Sequence, residues 1–223
     1  MKKQIVTFIY FALFSLQVLT QSLGLENRDD SARMALANLQ QRWAIANYAL
    51  EGKAQMRAFE QLITDVESAT TAQADNVEFL VWSGIIKSTF AGINGGLRAL
   101  KSAKSAKEDL DRAITIDGSA LEGAAYTSLG TLYYQVPGNP LGFGDSDKAE
   151  ELLEKAVAIN PTGIDSNYFY AQYLLAEKRY DKAIQHLLKA QKATPRPQRP
   201  LADKGRQTEI TLLLKAAHEK QAL

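Results

Sequence analysis

Cysteine is absent from the chain, which excludes disulfides, thiolate metal sites, thiol nucleophiles and a lipid-modified cysteine anchor together. Packing alone must hold the fold. Histidine is almost as scarce: His186 and His218 are the only two in 223 residues. Neither has a second histidine four positions on or a carboxylate cluster nearby, so a zinc site lacks ligands. Both read as solvated surface histidines, with His186 facing outward from a helix. Neither sign of charge dominates. A formal net charge of +1 gives the whole chain no pull toward nucleic acid or a membrane surface. No G-x-S-x-G, phosphate loop or dinucleotide fingerprint occurs. Gly92-Ile93-Asn94-Gly95-Gly96 lacks a following Lys-Ser/Thr in the right place and has no strand before it, so it reads as a turn. The sequence assembles no catalytic, cofactor or metal constellation, and it reads as non-enzymatic.

What is present begins with a leader. Lys2 and Lys3 precede an apolar run from Ile5 to Leu19, interrupted by Thr7, Ser15 and Gln17, and Thr20-Gln21-Ser22-Leu23-Gly24 follows. This is the layout of a secretory signal peptide over residues 1–24, with Ser22 or Gly24 at the last position before the cut. A membrane span needs roughly 20 apolar residues, and the run falls short, so no stable span is expected after cleavage. No A-x-A pattern marks the cut. An uncleaved anchor and a buried helix of the mature fold stand as the other readings. The expected location is periplasmic or secreted.

Alanine is abundant, β-branched residues are sparse, and glycine and proline gather at a few places, a composition that favours helices. Ala149, Leu153, Ala156 and Pro161 recur as Ala183, Leu187, Ala190 and Pro195, every member displaced by 34 positions. The first three lie at i, i+4 and i+7, one stripe of a helix. Alanine lets a neighbouring helix approach, leucine fills the gap, and proline ends the helix. Each stripe needs a preceding partner helix. Tyr170-Ala171 with Leu174 supplies one and Leu129-Gly130 with Tyr133 the other, the small residue marking the helix crossing. Tyr170 and Tyr173 read as core.

Over residues 121–195 these positions resemble the tetratricopeptide repeat (TPR) family: aromatic or large, then small, then Tyr or Leu, then the Ala-Leu-Ala-Pro set. The resemblance implies an all-α fold, a right-handed superhelical stack of antiparallel helix hairpins. Upstream, Ala106, Leu110 and Ala113 repeat the stripe with Gly84 as the crossing, and the chain between is about ten residues longer than a standard hairpin permits. Trp43, Ala46, Ala58 and Leu62 keep a similar spacing, but Asp65 stands where the second alanine belongs. The expected organisation is a divergent hairpin over 25–75, a degenerate one over 76–120, a repeat with an inserted loop over 121–161, a repeat over 162–195, and a linker and capping helix over 196–223. That amounts to some ten helices. Pro195 to Pro200 should run extended. Beyond it, Ile210, Leu213, Leu214 and Ala217 form an apolar stripe, with Arg206, Gln207, Glu209, Lys215 and Glu219 opposite, as a capping helix requires.

The resemblance also implies that first helices line a concave surface. Thr127, Thr131 and Tyr134 of one repeat, Tyr168, Gln172 and Leu175 of the next, and Val81 and Ile85 of an earlier one would face it. The inserted loop from Gln135 to Asp145 is the most unusual segment, because Val136, Leu141 and Phe143 are apolar where a surface connection is usually polar. Two readings stand for Leu141 and Phe143: a plug against the adjacent repeat, or a binding element. Asp145-Ser146-Asp147 suggests a metal, but Asp147 with Glu150 reads as a capping box. From Lys178 to Lys220 basic residues outnumber acidic ones. This is either a solvated face or a docking patch for an acidic partner or anionic lipid, with Arg196 and Arg199 as contacts.

TPR proteins usually bind protein or peptide partners, so the resemblance implies an exported, non-enzymatic adaptor. In size, leader and helix count the chain is also similar to the TRAP-transporter-associated TatT family, which implies an accessory of solute transport as the alternative.

Overall fold

A computed structural model describes residues 30–222; the expected leader and its expected cleavage site lie outside them. The chain divides into Met1–Asn38 and Leu39–Leu223. Of the first unit, residues 30–38 are described and are helical, the start of a helix, α1, that runs to residue 48. The second unit continues through α2 (Gly52–Ala72), α3 (Val77–Asn94), α4 (Gly96–Asp117), α5 (Ala120–Gln135), α6 (Ser146–Ile159), α7 (Ile164–Ala176), α8 (Tyr180–Gln191) and α9 (Pro200–Gln221). The fold is all-α. The described residues hold nine helices rather than ten, no strand, and no helix long and apolar enough to cross a membrane.

Successive helices pair as antiparallel hairpins, α3 with α4, α5 with α6 and α7 with α8. Each second helix also touches the next first helix, and the first helices α3, α5, α7 and α9 lie side by side. The stripes sit at the hairpin centres. Ala106, Leu110, Ala113, Ala149, Leu153, Ala156, Ala183, Leu187 and Ala190 are all 0% exposed. At the crossings backbone and side chain meet so closely that a Cβ on Gly130 would lie 2.7 Å from Leu153 Cγ, and one on Gly84 would collide with Leu110. Glycine here serves close approach rather than flexibility.

The long hairpin departs from expectation. Its extra residues are not a loosened turn; they lengthen the helices, to 18 residues in α3 and 22 in α4, against 13 in α7 and 12 in α8. One residue, Gly95, separates α3 from α4. It and Gly96 take left-handed backbone (φ 67° and 60°), which glycine adopts without steric cost.

In the first hairpin Trp43 packs edge-on against Trp82 at 5.7 Å and donates from Nε1 to Thr89 Oγ1 at 3.1 Å. Asp65 reaches Arg42 at 2.7 Å, and Val66 takes the buried place beside it. The cap of α6 is Asp145 rather than Asp147. Its carboxylate accepts the Lys148 N–H at 3.0 Å, which leaves Asp147 inside the first turn, where negative charge suits the helix dipole. The proline-rich linker does not run extended throughout: the Arg199 N–H closes a turn onto the Arg196 carbonyl at 2.9 Å.

Candidate functional site

Three positions recur along the first helices: three before, one after and four after the crossing residue. The first of these is closed. Val81, Thr127 and Tyr168 are 0%, 5% and 5% exposed, so Thr127 and Tyr168 do not face an open groove. The first helices pack side by side, and at Tyr168 the Arg206 guanidinium of α9 covers the ring. The other two positions are half-buried: Ile85, Thr131 and Gln172, then Tyr134 and Leu175. The Thr131 hydroxyl donates back to the Thr127 carbonyl at 2.8 Å. A polar ladder joins α5 to α7: Tyr134 Oη donates to Gln172 Oε1 at 3.0 Å, and Gln172 Nε2 donates to Tyr168 Oη at 2.8 Å. Burial pushes both phenols up to about 12, so they remain neutral donors and acceptors at physiological pH.

Beside this strip lies an ionic cluster. Arg196 donates to Asp203 Oδ1 from Nε at 2.8 Å and to Asp165 Oδ2 from Nη1 at 2.8 Å. Its backbone N–H donates to Asp203 Oδ2 at 2.6 Å. Arg206, buried rather than on the solvent face of α9, donates from Nε to Asp165 Oδ1 at 2.9 Å. Its guanidinium lies over the rings of Tyr168 and Phe169 at 4.3 and 4.5 Å. Burial alone would raise the Asp165 carboxyl, but the charges of Arg206 and Arg196 overcome it and hold the group below the usual carboxylate range. Arg199 lies over Trp82 at 5.0 Å, and Gly205 meets the Tyr48 ring. Arg196 is therefore an internal tie between linker, α7 and α9 rather than a free contact for a partner. Arg199 braces the linker against α3.

The inserted loop divides in two. Phe143 is half-buried edge-on against Tyr133 at 5.5 Å, with Lys107 Nζ 6.0 Å from its ring centroid, whereas Leu141 is 72% exposed. Phe143 holds the loop down and Leu141 stands out from it.

His186 is not a solvated side chain. Its Nδ1 lies 2.8 Å from Asn167 Oδ1 and its ring packs edge-on against Tyr170 at 4.8 Å. Burial, with Lys189 and Lys182 nearby, pulls its pKa down to about 4. Asn167 Nδ2 in turn holds the carbonyls of Pro161 and Gly163, so the histidine orders the entry to α7. Among the described residues no group of three His, Asp or Glu gathers to hold a metal.

Residues 141–202 match the family model described as tetratricopeptide repeat. That stretch carries tetratricopeptide repeat sequence. Among solved structures, TTC0263, a thermophilic TPR protein in Thermus thermophilus, is 15% identical with a TM-score of 0.53, covering 81% of this chain and 99% of that one. That likeness shows the fold. Two crystal structures of MamA are 23% and 21% identical with TM-scores of 0.45 and 0.44, covering 76% and 82% of this chain and 92% of each of theirs. No curated protein matches the sequence.

The 34-residue register also explains why Arg206 eluded the sequence. Gly205 stands 34 positions after Ala171, so α9 continues the first-helix series with Gly205 as its crossing residue. Arg206 and Glu209 then fall at the positions of Gln172 and Leu175. The signal was a lone glycine inside an otherwise amphipathic helix.

Proposed function

We propose that this TPR chain is an exported, non-enzymatic adaptor that holds a protein or peptide partner in the cell envelope. The fold is one that generally serves as a scaffold for protein–protein interaction, and the leader supports export. The observation that carries the reading is the strip of Thr131, Tyr134, Gln172 and Leu175. These four half-buried residues repeat at matching positions of two hairpins, while the neighbouring row is sealed. Tyrosine and glutamine offer hydroxyl and amide groups to a peptide backbone, and leucine offers apolar surface. The cluster of Asp165, Arg196 and Arg206 fixes α9 beside them, so the strip is presented on a preorganised support.

The test is affinity capture from envelope extract with the mature protein and with Gln172→Ala/Leu175→Asp. A protein retained by the first and lost by the second, with the melting curve unchanged, supports the reading. Equal retention by both removes the strip from consideration. Recovery of intact Met1 in a soluble cytoplasmic fraction removes export.

A further inference from the structure

The chain as a whole is nearly neutral, but its cations are not evenly spread. Gly96–Lys107, the first three turns of α4, carries Arg98, Lys101, Lys104 and Lys107 and no acidic residue. Lys107 is occupied, donating to Asp111 at 2.6 Å and lying over Tyr133. Arg98, Lys101 and Lys104 are exposed and have no ion pair among the described residues. Leu97, Leu100, Lys101 and Lys104 stand at i, i+3, i+4 and i+7, a single stripe of the helix. Leu97 is 88% exposed.

The inserted loop rests on this stripe. A methyl group on Gly142 would lie 3.4 Å from Leu100 Cδ1, so the loop backbone next to Leu141 comes close to the first turns of α4. The loop is internally tied: Leu141 and Gly142 donate their N–H groups to the Gly138 carbonyl at 3.1 and 3.2 Å, and the Gly144 N–H reaches the Pro137 carbonyl at 3.0 Å. Phe143 fastens it to Tyr133. Leu141 is thus held out on a braced support, and displaying it costs little further ordering.

We propose that the first turns of α4 and the tip of the inserted loop form a docking surface for an anionic lipid bilayer, with Leu97 and Leu141 entering the interface and Arg98, Lys101 and Lys104 meeting the headgroup phosphates. The two leucines protrude. A protruding side chain suits a soft partner that closes around it, and a bilayer interface does so without a matching cavity. Lysine and arginine beside such leucines keep their heads at the phosphate level while their stems follow the apolar side chains inward. This surface lies on α4 and the loop, apart from the strip on α5 and α7, so it stands or falls separately from the adaptor reading.

The absence of cysteine allows a direct test. Full-length protein carrying Leu141→Cys is labelled with an environment-sensitive fluorophore and mixed with vesicles of phosphatidylcholine alone or of phosphatidylcholine with phosphatidylglycerol. The same label at Leu212→Cys, an exposed position on α9, serves as the control. The label at position 141 should shift to the blue with anionic vesicles only, and the label at 212 should not. Adding Lys101→Glu and Lys104→Glu should weaken the response on the order of tenfold or more, as expected for removing and reversing two charges at an anionic surface. Melting curves establish that each variant is folded. Equal shifts at both labels, from adsorption through the leader, overturn the proposal. So does a shift with neutral vesicles or one indifferent to charge reversal. A response to an acidic amphipathic peptide without any response to vesicles reassigns the surface to a protein partner.

Discussion

Arg206 and Asp165 are separated by 41 positions in sequence and by 2.9 Å in space, Nε to Oδ1. The pair joins α9 to the first turn of α7. The arginine side chain is 8% exposed and the aspartate 31%, and Arg196 completes the carboxylate from its other oxygen. The rings of Tyr168 and Phe169 cover the guanidinium, and its Nη1 also donates to Glu209 Oε2 at 2.5 Å, so Asp165 and Glu209 together balance its charge.

Removing Arg206 should therefore be costly. Breaking a buried ion pair leaves a charge uncompensated and destabilises by about 3–5 kcal/mol. Because Asp165 keeps Arg196, Arg206→Ala is expected at about 3 kcal/mol, the lower end. Asp165→Asn/Arg206→Met should lose less than the sum of the single losses, since the two facing charges leave together and only the half-buried Glu209 loses a partner. Denaturant midpoints of the three variants check this. Additive losses would mean that the two residues are not coupled.

Acid sensitivity follows from His186 and Asp165. The folded His186 pKa, about 4, lies below an unfolded value near 6.5. The stability it contributes is complete above about pH 6.5 and falls as the pH drops toward 4. Asp165 is also depressed, so its contribution is present above about pH 4 and fades below that. His186→Gln should flatten the dependence between about pH 6.5 and 4 and leave the steeper loss below it. Midpoints measured across that range decide it; an unchanged slope would assign the loss to other groups.

The contrast between the stripe and the closed row shows how far the sequence could be read. The 34-residue recurrence located Ala149, Leu153, Ala156 and their counterparts, because the packing inside a hairpin is local and leaves a period in the chain. Burial of Tyr168 depends on how one first helix lies against the next, and that relation leaves no mark within a single repeat. His186 is similar. Its helix position is polar by pattern, and only the proximity of Asn167 and Tyr170 buries it. The Arg206 cluster was hardest to read, since four of its charges come from a linker and a helix whose apolar stripe pointed elsewhere.

Two glycines of one helix should respond in opposite directions. Gly84 and Gly92 both lie in α3. A methyl group on Gly84 collides with Leu110, in the packed centre of the hairpin, and overpacking costs typically about 1–3 kcal/mol. A methyl group on Gly92 meets nothing within 4 Å. There alanine restricts the unfolded chain and suits the helix, so Gly92→Ala should stabilise by about 0.4–1 kcal/mol. Melting temperatures that move in the same direction would refute the crossing assigned to Gly84.

The loop offers the last prediction, because its two apolar residues should separate cleanly. Phe143 packs edge-on against Tyr133 with the Lys107 ammonium over its ring, but it is only half-buried, so it lacks the full contact of a core ring. Truncating a buried phenylalanine costs about 3–5 kcal/mol, and half that burial suggests about 2 kcal/mol for Phe143→Ala. Leu141, standing clear of the surface, should change stability by no more than about 0.5 kcal/mol when replaced by alanine. Gly144 tests whether the loop path itself is fixed. A methyl group there collides with the Val136 carbonyl, which is backbone and cannot swing aside as a side chain would. Gly144→Ala should therefore displace the loop and release Phe143, with a loss close to that of Phe143→Ala. If one structural element is responsible, the double variant should be little worse than either single one. Denaturation curves for the four variants decide the matter. A costly Leu141→Ala, or fully additive losses at Gly144 and Phe143, would show that the loop is not fastened at Phe143.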